Sequence, residues 1–225
     1  MERQMKRNVT LEEISDGRLY GFNDMVNADC QDCVGCSECC RDMVETIILS
    51  PLDIYNLSEG LGKSLQELLN REAELNVVNG IVLPRLKLLE NKNCCAFLDD
   101  DGRCSVHSFR PDLCRLFPLG RVYENGDFKY FLQVGQCAHE RTGIKVGKWI
   151  DTPRPSENKK YILRWHDILA RAEELLCDSR DEEFNRRLNM ALLNTFYMTP
   201  YEHGRDFYPQ FACRAEKMEA IIFSD

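Results

Sequence analysis

The sequence has no run of about 20 apolar residues, the length that a membrane-spanning helix needs. Residues 1–16 alternate charged and apolar side chains and contain no apolar core of a secretory signal. We therefore expect no membrane insertion and no export, and we expect a cytoplasmic protein. The sequence also lacks a GxGxxG motif, a P-loop and a GxSxG nucleophile motif, so no residues point to nucleotide binding or serine hydrolysis.

Basic residues are in the minority, since 29 Lys and Arg face 37 Asp and Glu for a net charge of −8. No basic stripe runs along the chain. This balance argues against nucleic acid or an anionic membrane as a partner, because both attract cations. The length of 225 residues and the hydrophobic content of 44% suit a globular core with, at most, an additional helical lobe.

Cysteine is the residue in excess, with 12 in the chain. Disulfides are rare in a reducing cytosol, so this number favours metal binding over a disulfide framework. Thiolate binds soft metals, and a CxxC step lets one tight turn bring two sulfurs to the same ion. The cysteines fall into a dense first set and a looser second set, namely Cys33, Cys36, Cys39 and Cys40, and then Cys95, Cys104, Cys114 and Cys137.

Two features of the dense set bear on the metal. The spacing Cys30-x2-Cys33-x2-Cys36-x3-Cys40 coincides with that of bacterial ferredoxins, which hold [4Fe–4S] clusters, although Arg41 stands where proline would follow. The CxxxCxxC spacing of radical S-adenosylmethionine enzymes does not occur. Adjacent residues point apart in extended backbone, so Cys39 and Cys40 either serve two ions or supply one ligand and one packing residue.

Two cysteines of the second set, Cys95 and Cys104, are predicted to lie on a hairpin, whereas Cys114 is predicted to start a helical turn. Asp101-Gly102 is a turn signal between Cys95 and Cys104, and a hairpin would bring these two cysteines together. Further along, Asn125-Gly126 predicts another hairpin, because both residues tolerate positive φ. Zinc and iron sites built from such distant segments stabilise small domains.

Several neighbouring residues have two interpretations. Arg110 and Arg115 flank Cys114, and they either offset thiolate charge or form a surface pair with Asp112. His107 and His139 either complete a site or are ordinary half-buried histidines.

Four further cysteines fall outside the two sets. Cys30 and Cys94 are open between ligand and packing residue. Cys177 and Cys213 lie in helical patterns, where we expect them to pack as small buried side chains.

Local signals predict the first helices and strands. Residues 43–49 are rich in β-branched side chains and predict a short strand. Ser50 followed by Pro51 predicts a helix start. Ser64 and Glu67 form a capping box, which predicts a second helix to about residue 75.

The chain changes character after residue 151. Apolar side chains recur there every three or four residues, which predicts helices over 161–176 and 181–198 and a weaker helix over 211–223. We therefore expect a helical lobe at the carboxyl end.

The motifs CVGCSECCRD (33–42) and CAFLDDDGRCSVHSFRPDLCRLFP (95–118), with Cys137, resemble the CxxCxxCC cysteine-cluster family, described as zinc- or iron-chelating and often called YkgJ-like. Flagellin lysine N-methylases are similar and share the double-cysteine motif. The resemblance implies that eight cysteines are the metal ligands: Cys33, Cys36, Cys39, Cys40, Cys95, Cys104, Cys114 and Cys137.

Together these features predict an α+β fold. A segment over 1–29 precedes a metal-stabilised cysteine-cluster domain with short strands and hairpins over 30–143, and a helical lobe over 144–225 packs on that domain. The expected function is chelation of iron, as an iron–sulfur cluster, or of zinc. Two alternatives are a protein lysine N-methyltransferase that uses S-adenosylmethionine and acts on a protein substrate, and a thiol redox switch. The sequence identifies no substrate, protein partner or oligomeric state.

Overall fold

The computed structural model describes residues 10–29, 36–42, 44–89, 93–135 and 141–223. It confirms the α+β class, with helices and small hairpins along the chain. The helices are α1 (Leu11–Ile14), α2 (Cys39–Asp42), α3 (Pro51–Leu61), α4 (Leu65–Leu68), α5 (Asp112–Leu116), α6 (Val146–Ile150), α7 (Pro155–Asp178), α8 (Glu182–Leu193) and α9 (Phe207–Ile222). The described residues also form short 3-10 turns at Val44–Thr46 and His107–Phe109 and a π-helical turn at Asn194–Met198.

All strands of the described residues pair antiparallel in two-stranded sheets, β1 with β8, β2 with β3, β4 with β5 and β6 with β7. Their bounds are β1 (Met25–Asp29), β2 (Ala73–Val78), β3 (Ile81–Leu86), β4 (Leu88–Leu89), β5 (Cys94–Cys95), β6 (Leu119–Glu124), β7 (Asp127–Leu132) and β8 (Thr142–Lys145). In the part of the chain that is described, no helix is long and apolar enough to cross a membrane.

The chain forms two compact units, each built from two stretches of sequence. The first unit combines 1–36 with 113–159, and the second combines 37–112 with 160–225. The predicted domain over 30–143 is defined by the positions of the cysteine motifs, whereas the two units are defined by their internal contacts. It stays a prediction.

The first unit contains the predicted hairpin at Asn125-Gly126. Asn125 has φ 52° and Gly126 has φ 72°, so both residues occupy the left-handed region that a type I′ turn requires. The turn joins β6 to β7, which pair from Leu119 with Leu132 to Glu124 with Asp127. This hairpin prediction is confirmed.

In the second unit, α3 begins and ends as its sequence predicts. The Ser50 side chain accepts a hydrogen bond from the backbone N–H of Asp53, Pro51 occupies the first turn, and Gly62 closes the helix at φ 65°. A Ser64–Glu67 capping box likewise opens α4. The predicted continuation of α4 to residue 75 is wrong, because the helix ends at Leu68 and the chain enters β2 at Ala73.

The predicted strand over 43–49 is wrong in its described part. Val44–Thr46 is a 3-10 turn, and only Ile48 forms a bridge, to Arg85 of β3. The backbone N–H of Leu49 donates to the oxygen of Pro84 at 2.8 Å. Val44, Ile47 and Leu49 are buried, but the segment does not form a regular ladder with β3.

The long helices of the second unit enclose an aromatic core. Ring centroids of Tyr161 and Phe211 are 4.7 Å apart, and those of Trp165 and Phe196 are 4.9 Å apart, both edge to face. These helices pack in the same unit as the β2–β3 hairpin. The Asn189 side chain on α8 accepts a hydrogen bond from the backbone N–H of Val82 at 2.7 Å.

Candidate metal centre

The last two cysteines of the first motif lie next to the second motif within the second unit. Cys39 and Cys40 open α2, a single helical turn in which the backbone N–H of Cys40 donates to the oxygen of Ser37 at 3.0 Å. Helix α2 packs against β5, which consists of Cys94 and Cys95. Segments more than 50 residues apart in sequence therefore meet at their cysteines.

Cys39 and Cys40 interact directly with each other. The thiol of Cys40 donates a hydrogen bond to the sulfur of Cys39, which lowers the pKa of Cys39 to about 7 and raises that of Cys40. Our expectation from extended backbone, that the two side chains point apart, is wrong here. A helical turn separates consecutive side chains by only about 100° around the axis, so neighbouring thiols can face the same side.

The predicted hairpin between Cys95 and Cys104 is confirmed. Leu98 bridges Cys104, and the backbone N–H of Asp99 donates to the oxygen of Arg103 at 2.9 Å. Gly102 takes φ 73° at the turn. The two ends of this loop therefore return to the same place.

Backbone amides point at the sulfurs of this hairpin. The N–H of Phe97 donates to Sγ of Cys95 at 3.5 Å, and the N–H of Val106 donates to the sulfur of Cys104. In each case the amide belongs to the residue two positions further along the chain. Such hydrogen bonds favour a thiolate, but burial dominates here, raising the pKa of Cys95 to about 11 and also raising the pKa of Cys104.

The four thiols lie within electrostatic reach of one another. Negative charge on Cys104 and Cys95 contributes to the raised pKa of Cys40, and charge on Cys39 contributes to that of Cys95. Within the described ranges, no three His, Cys, Asp or Glu side chains already converge as a closed set of metal ligands. The structure therefore brings Cys39, Cys40, Cys95 and Cys104 within electrostatic range of one another, but not into a set of ligands already arranged around one ion.

The donor chemistry of this group suits a zinc or iron centre. Thiolate is the soft ligand that both metals take, and four thiolates satisfy one tetrahedral ion. The amides directed at Cys95 and Cys104 would stabilise sulfur that carries negative charge. Cys94 is also buried beside this group and adds to the raised pKa of Cys95.

A cation accompanies the thiols. The charge of Arg110 lowers the pKa of both Cys39 and Cys104, although for Cys104 burial has the larger, opposite effect. Nη1 of Arg110 lies 2.8 Å from Nε2 of His107. The effect of Arg110 on the two thiols supports the interpretation in which its charge offsets thiolate charge. The contact with Arg110 also occupies Nε2 of His107, a nitrogen that could otherwise bind a metal.

The structure does not place the other predicted ligands with these four thiols. Cys36 is the last residue of the first stretch of unit one, and Cys114 lies on α5 in the second stretch of the same unit; both are half-buried. Cys30, Cys33, Cys137 and His139 lie outside the described residues. Their roles stay predictions.

Cys177 and Cys213 are exposed on α7 and α9. The expectation that they pack as buried side chains is therefore wrong. The helical periodicity was correct, but these two positions fall on the outer faces of their helices.

Asp53 contributes a contact that the sequence did not reveal. The sequence identifies it only as an acid in the first turn of α3, but in the structure it is buried and accepts the backbone N–H of Asp112 at 2.7 Å. Asp112 follows Arg110-Pro111 in the second cysteine motif. The capping pattern at Ser50 predicts the hydrogen bond between Asp53 and Ser50. No neighbouring residue in the sequence predicts the hydrogen bond between Asp53 and Asp112.

A comparison with protein families gives one match. Residues 32–138, just under half of the chain, match the CxxCxxCC family model, described as a "putative zinc- or iron-chelating domain". No curated protein and no solved structure gives a significant match. The matched span contains both cysteine motifs and the four thiols grouped in the second unit, so residues 32–138 of this chain are similar to a domain family that is described as zinc- or iron-chelating.

Proposed function

We propose that this protein chelates one zinc or iron centre through Cys39, Cys40, Cys95 and Cys104. The observation that carries the proposal is the meeting of α2 with β5, which puts the end of the first motif beside the second. The match to the family model supports metal binding in general. The eight-cysteine set implied by the family would add Cys33, Cys36, Cys114 and Cys137, either to this centre or to a second one.

Such a centre would have a structural role in the second unit. Metal binding to sites of this kind contributes about 10–16 kcal/mol in peptide systems, as much as the stability of a whole domain. The four thiols come from α2, β5 and the loop after it, and the described strand pairing of β5 is limited to two residue pairs with β4. A bound metal would therefore hold these segments together.

Iron, as an iron–sulfur cluster, is the metal that we expect. The support comes from the ferredoxin-like spacing of Cys30, Cys33, Cys36 and Cys40, of which only Cys40 belongs to the four grouped thiols, so it favours iron for a centre to which the first motif supplies further ligands. A coloured protein with iron and sulfide after anaerobic purification is the expected result. A colourless protein with stoichiometric zinc would contradict iron and leave the chelating function in place.

Serine substitutions test the ligand assignment. Each of C39S, C40S, C95S and C104S should lose bound metal, measured by elemental analysis of anaerobically purified protein. The matched controls are C177S and C213S, because these cysteines are exposed in the same unit. Wild-type protein without zinc or iron would refute the proposal, and so would motif variants that retain metal at the wild-type level.

A thiol switch is a second candidate, supported by the lowered pKa of Cys39. Low-pKa thiols near a cation are the ones that oxidise and alkylate readily. Rapid alkylation of Cys39 in metal-loaded protein would favour the switch, and protection would favour the metal site. The methyltransferase alternative stays a prediction, and calorimetry with S-adenosylmethionine is its direct test.

A further inference from the structure

We propose that Arg110, oriented by His107, donates its Nε–H to a metal-bound thiolate of the centre and thereby raises the affinity for the metal. This inference depends on the proposed function, because it assigns a role beside the same four thiols. It makes Arg110 a positioning and charge-neutralising residue and not a ligand.

The first observation is the contact between Arg110 and His107. Arginine has only donors, so Nε2 of His107, 2.8 Å from Nη1, is the acceptor. His107 thus fixes one edge of the guanidinium plane and leaves the other donors of Arg110 directed elsewhere.

The second observation is an unused donor on the same side chain. Nε of Arg110 is buried and has no hydrogen-bond partner among the described residues. A buried donor without an acceptor destabilises the fold, so such an atom calls for an explanation. A thiolate sulfur bound to a metal is an acceptor of matching charge.

The third observation is the electrostatic effect of Arg110 on the thiols. The backbone N–H of His107, which contacts Arg110, donates to the oxygen of Cys104 at 3.2 Å, so the Arg110–His107 pair lies beside the second motif, and the charge of Arg110 acts on both Cys104 and Cys39. Asp99 acts on Cys104 in the opposite sense. Four thiolates around one divalent ion leave a net negative charge, and a nearby cation lowers its energetic cost.

The backbone holds Arg110 in place for this role. Arg110 has φ −58° and ψ 151°, the extended conformation that the following Pro111 favours. The next residue, Asp112, is tied through its backbone N–H to buried Asp53 at 2.7 Å. The segment is therefore fixed on both sides of Pro111.

The test compares R110M, R110K and the control R71M in the full-length protein loaded with zinc. Arg71 is an exposed arginine of the same unit, so R71M removes the same charge away from the thiols. Competition with a chromophoric chelator measures the zinc affinity. We expect R110M to bind one zinc with an affinity 10- to 100-fold lower, which is about the usual loss for an outer-shell partner of a metal ligand. R110K should fall between R110M and wild type, and R71M should match wild type.

A double-mutant cycle tests the part played by His107. H107A should weaken zinc binding on its own but should have no further effect in the R110M background, because His107 acts through Arg110. Additive losses would overturn this positioning role.

The outcomes separate the two proposals. Wild-type protein that binds neither zinc nor iron refutes the proposed function and this inference together. Wild-type, R71M and R110M proteins with equal affinities overturn the inference alone. Should R110M fail to fold by near-UV circular dichroism, cobalt-loaded R110K and H107A replace it, and an unchanged thiolate-to-cobalt absorption band in both would overturn the inference.

Discussion

Oδ1 of Asp53 accepts a hydrogen bond of 2.7 Å from the backbone N–H of Asp112, 59 positions further along the chain. Its other oxygen, Oδ2, accepts the N–H of Ser50 at 2.8 Å. One buried carboxyl group thus closes the capping box of α3 and holds the start of α5, directly after Arg110-Pro111 of the cysteine motif. Burial raises the pKa of Asp53 to about 6, with a smaller contribution from the charge of Asp112.

This raised pKa predicts how Asp53 affects stability with pH. The folded protein binds the proton more tightly than the unfolded chain does, so the stabilising contribution is fully present below about pH 4 and is lost as the pH rises through about 6. The free energy of unfolding of wild type relative to D53N should fall by up to about 3 kcal/mol over this window. Urea unfolding of both proteins at several pH values measures this difference in the free energy of unfolding. NMR follows the titration of the Asp53 carboxyl group in the folded protein, and a titration midpoint near pH 4 would contradict the prediction.

Glu67 provides the matched control, because it holds the same position in the capping box of α4 but is exposed. Hydrogen bonds from Ser64 lower the pKa of Glu67. Its contribution is therefore present above the unfolded value and is lost as the pH falls, the opposite sign to Asp53. The E67Q variant should show this opposite trend.

Metal binding should release protons. Cys40, Cys95 and Cys104 have raised pKa values and Cys39 has a pKa of about 7, so near neutral pH three thiols are protonated and the fourth is partly ionised. If these four are the ligands, zinc binding should release about three to four protons, and affinity should fall roughly 1,000-fold for each unit that the pH is lowered. Calorimetry in buffers of different ionisation enthalpy counts the protons. Release of one proton or fewer would exclude this ligand set.

Cys39 should be the most reactive of the grouped thiols in metal-free protein. The thiol of Cys40 is the main cause of its lowered pKa, so C40A should raise that pKa and slow the alkylation of Cys39 at pH 7. Mass spectrometry of iodoacetamide-treated protein across pH 6 to 9 follows each site. The C213S variant serves as the control, and equal rates at Cys39 in C40A and C213S would show that the Cys40 hydrogen bond has no such effect.

Gly60 is expected to tolerate no side chain, although it lies inside α3. Alanine at an exposed helical glycine usually stabilises by up to about 1 kcal/mol. Here a Cβ would lie 2.5 Å from Cε2 of Phe109, in the 3-10 turn that follows Cys104. We expect G60A to destabilise by about 1–3 kcal/mol, the usual cost of overpacking, as measured by denaturant unfolding.

The background F109A tests that explanation. Without the phenylalanine ring the clash disappears, and G60A should then be neutral or stabilising. A cost for G60A that is unchanged in F109A would mean that the ring is not its cause.

The parts of this structure that the sequence predicts depend on neighbouring residues. Ser50 caps α3, Ser64 caps α4, and Asn125-Gly126 turns β6 into β7, because each feature needs only a few adjacent side chains and dihedral angles. The two cysteine motifs also predict metal binding from the sequence alone, because a high density of thiols favours a soft metal.

The rest was decided by contacts between distant segments. The β-branched residues after Met43 predict a strand, but packing beside β3 leaves a 3-10 turn at Val44–Thr46. The pairing of the Cys40 thiol with Cys39 depends on a helical turn that no propensity in this segment predicts.

The arrangement of the four grouped thiols also depends on contacts between distant segments. Cys40 lies beside Cys95 and Cys104, and Asp112 is bound to Asp53, only because the chain folds back over more than 50 residues. Local sequence determined which residues can bind a metal and where helices begin. Tertiary structure decided which of those residues meet. Burial and long-range hydrogen bonds join segments that are far apart in the sequence, and the distance between two segments along the chain does not determine their distance in space.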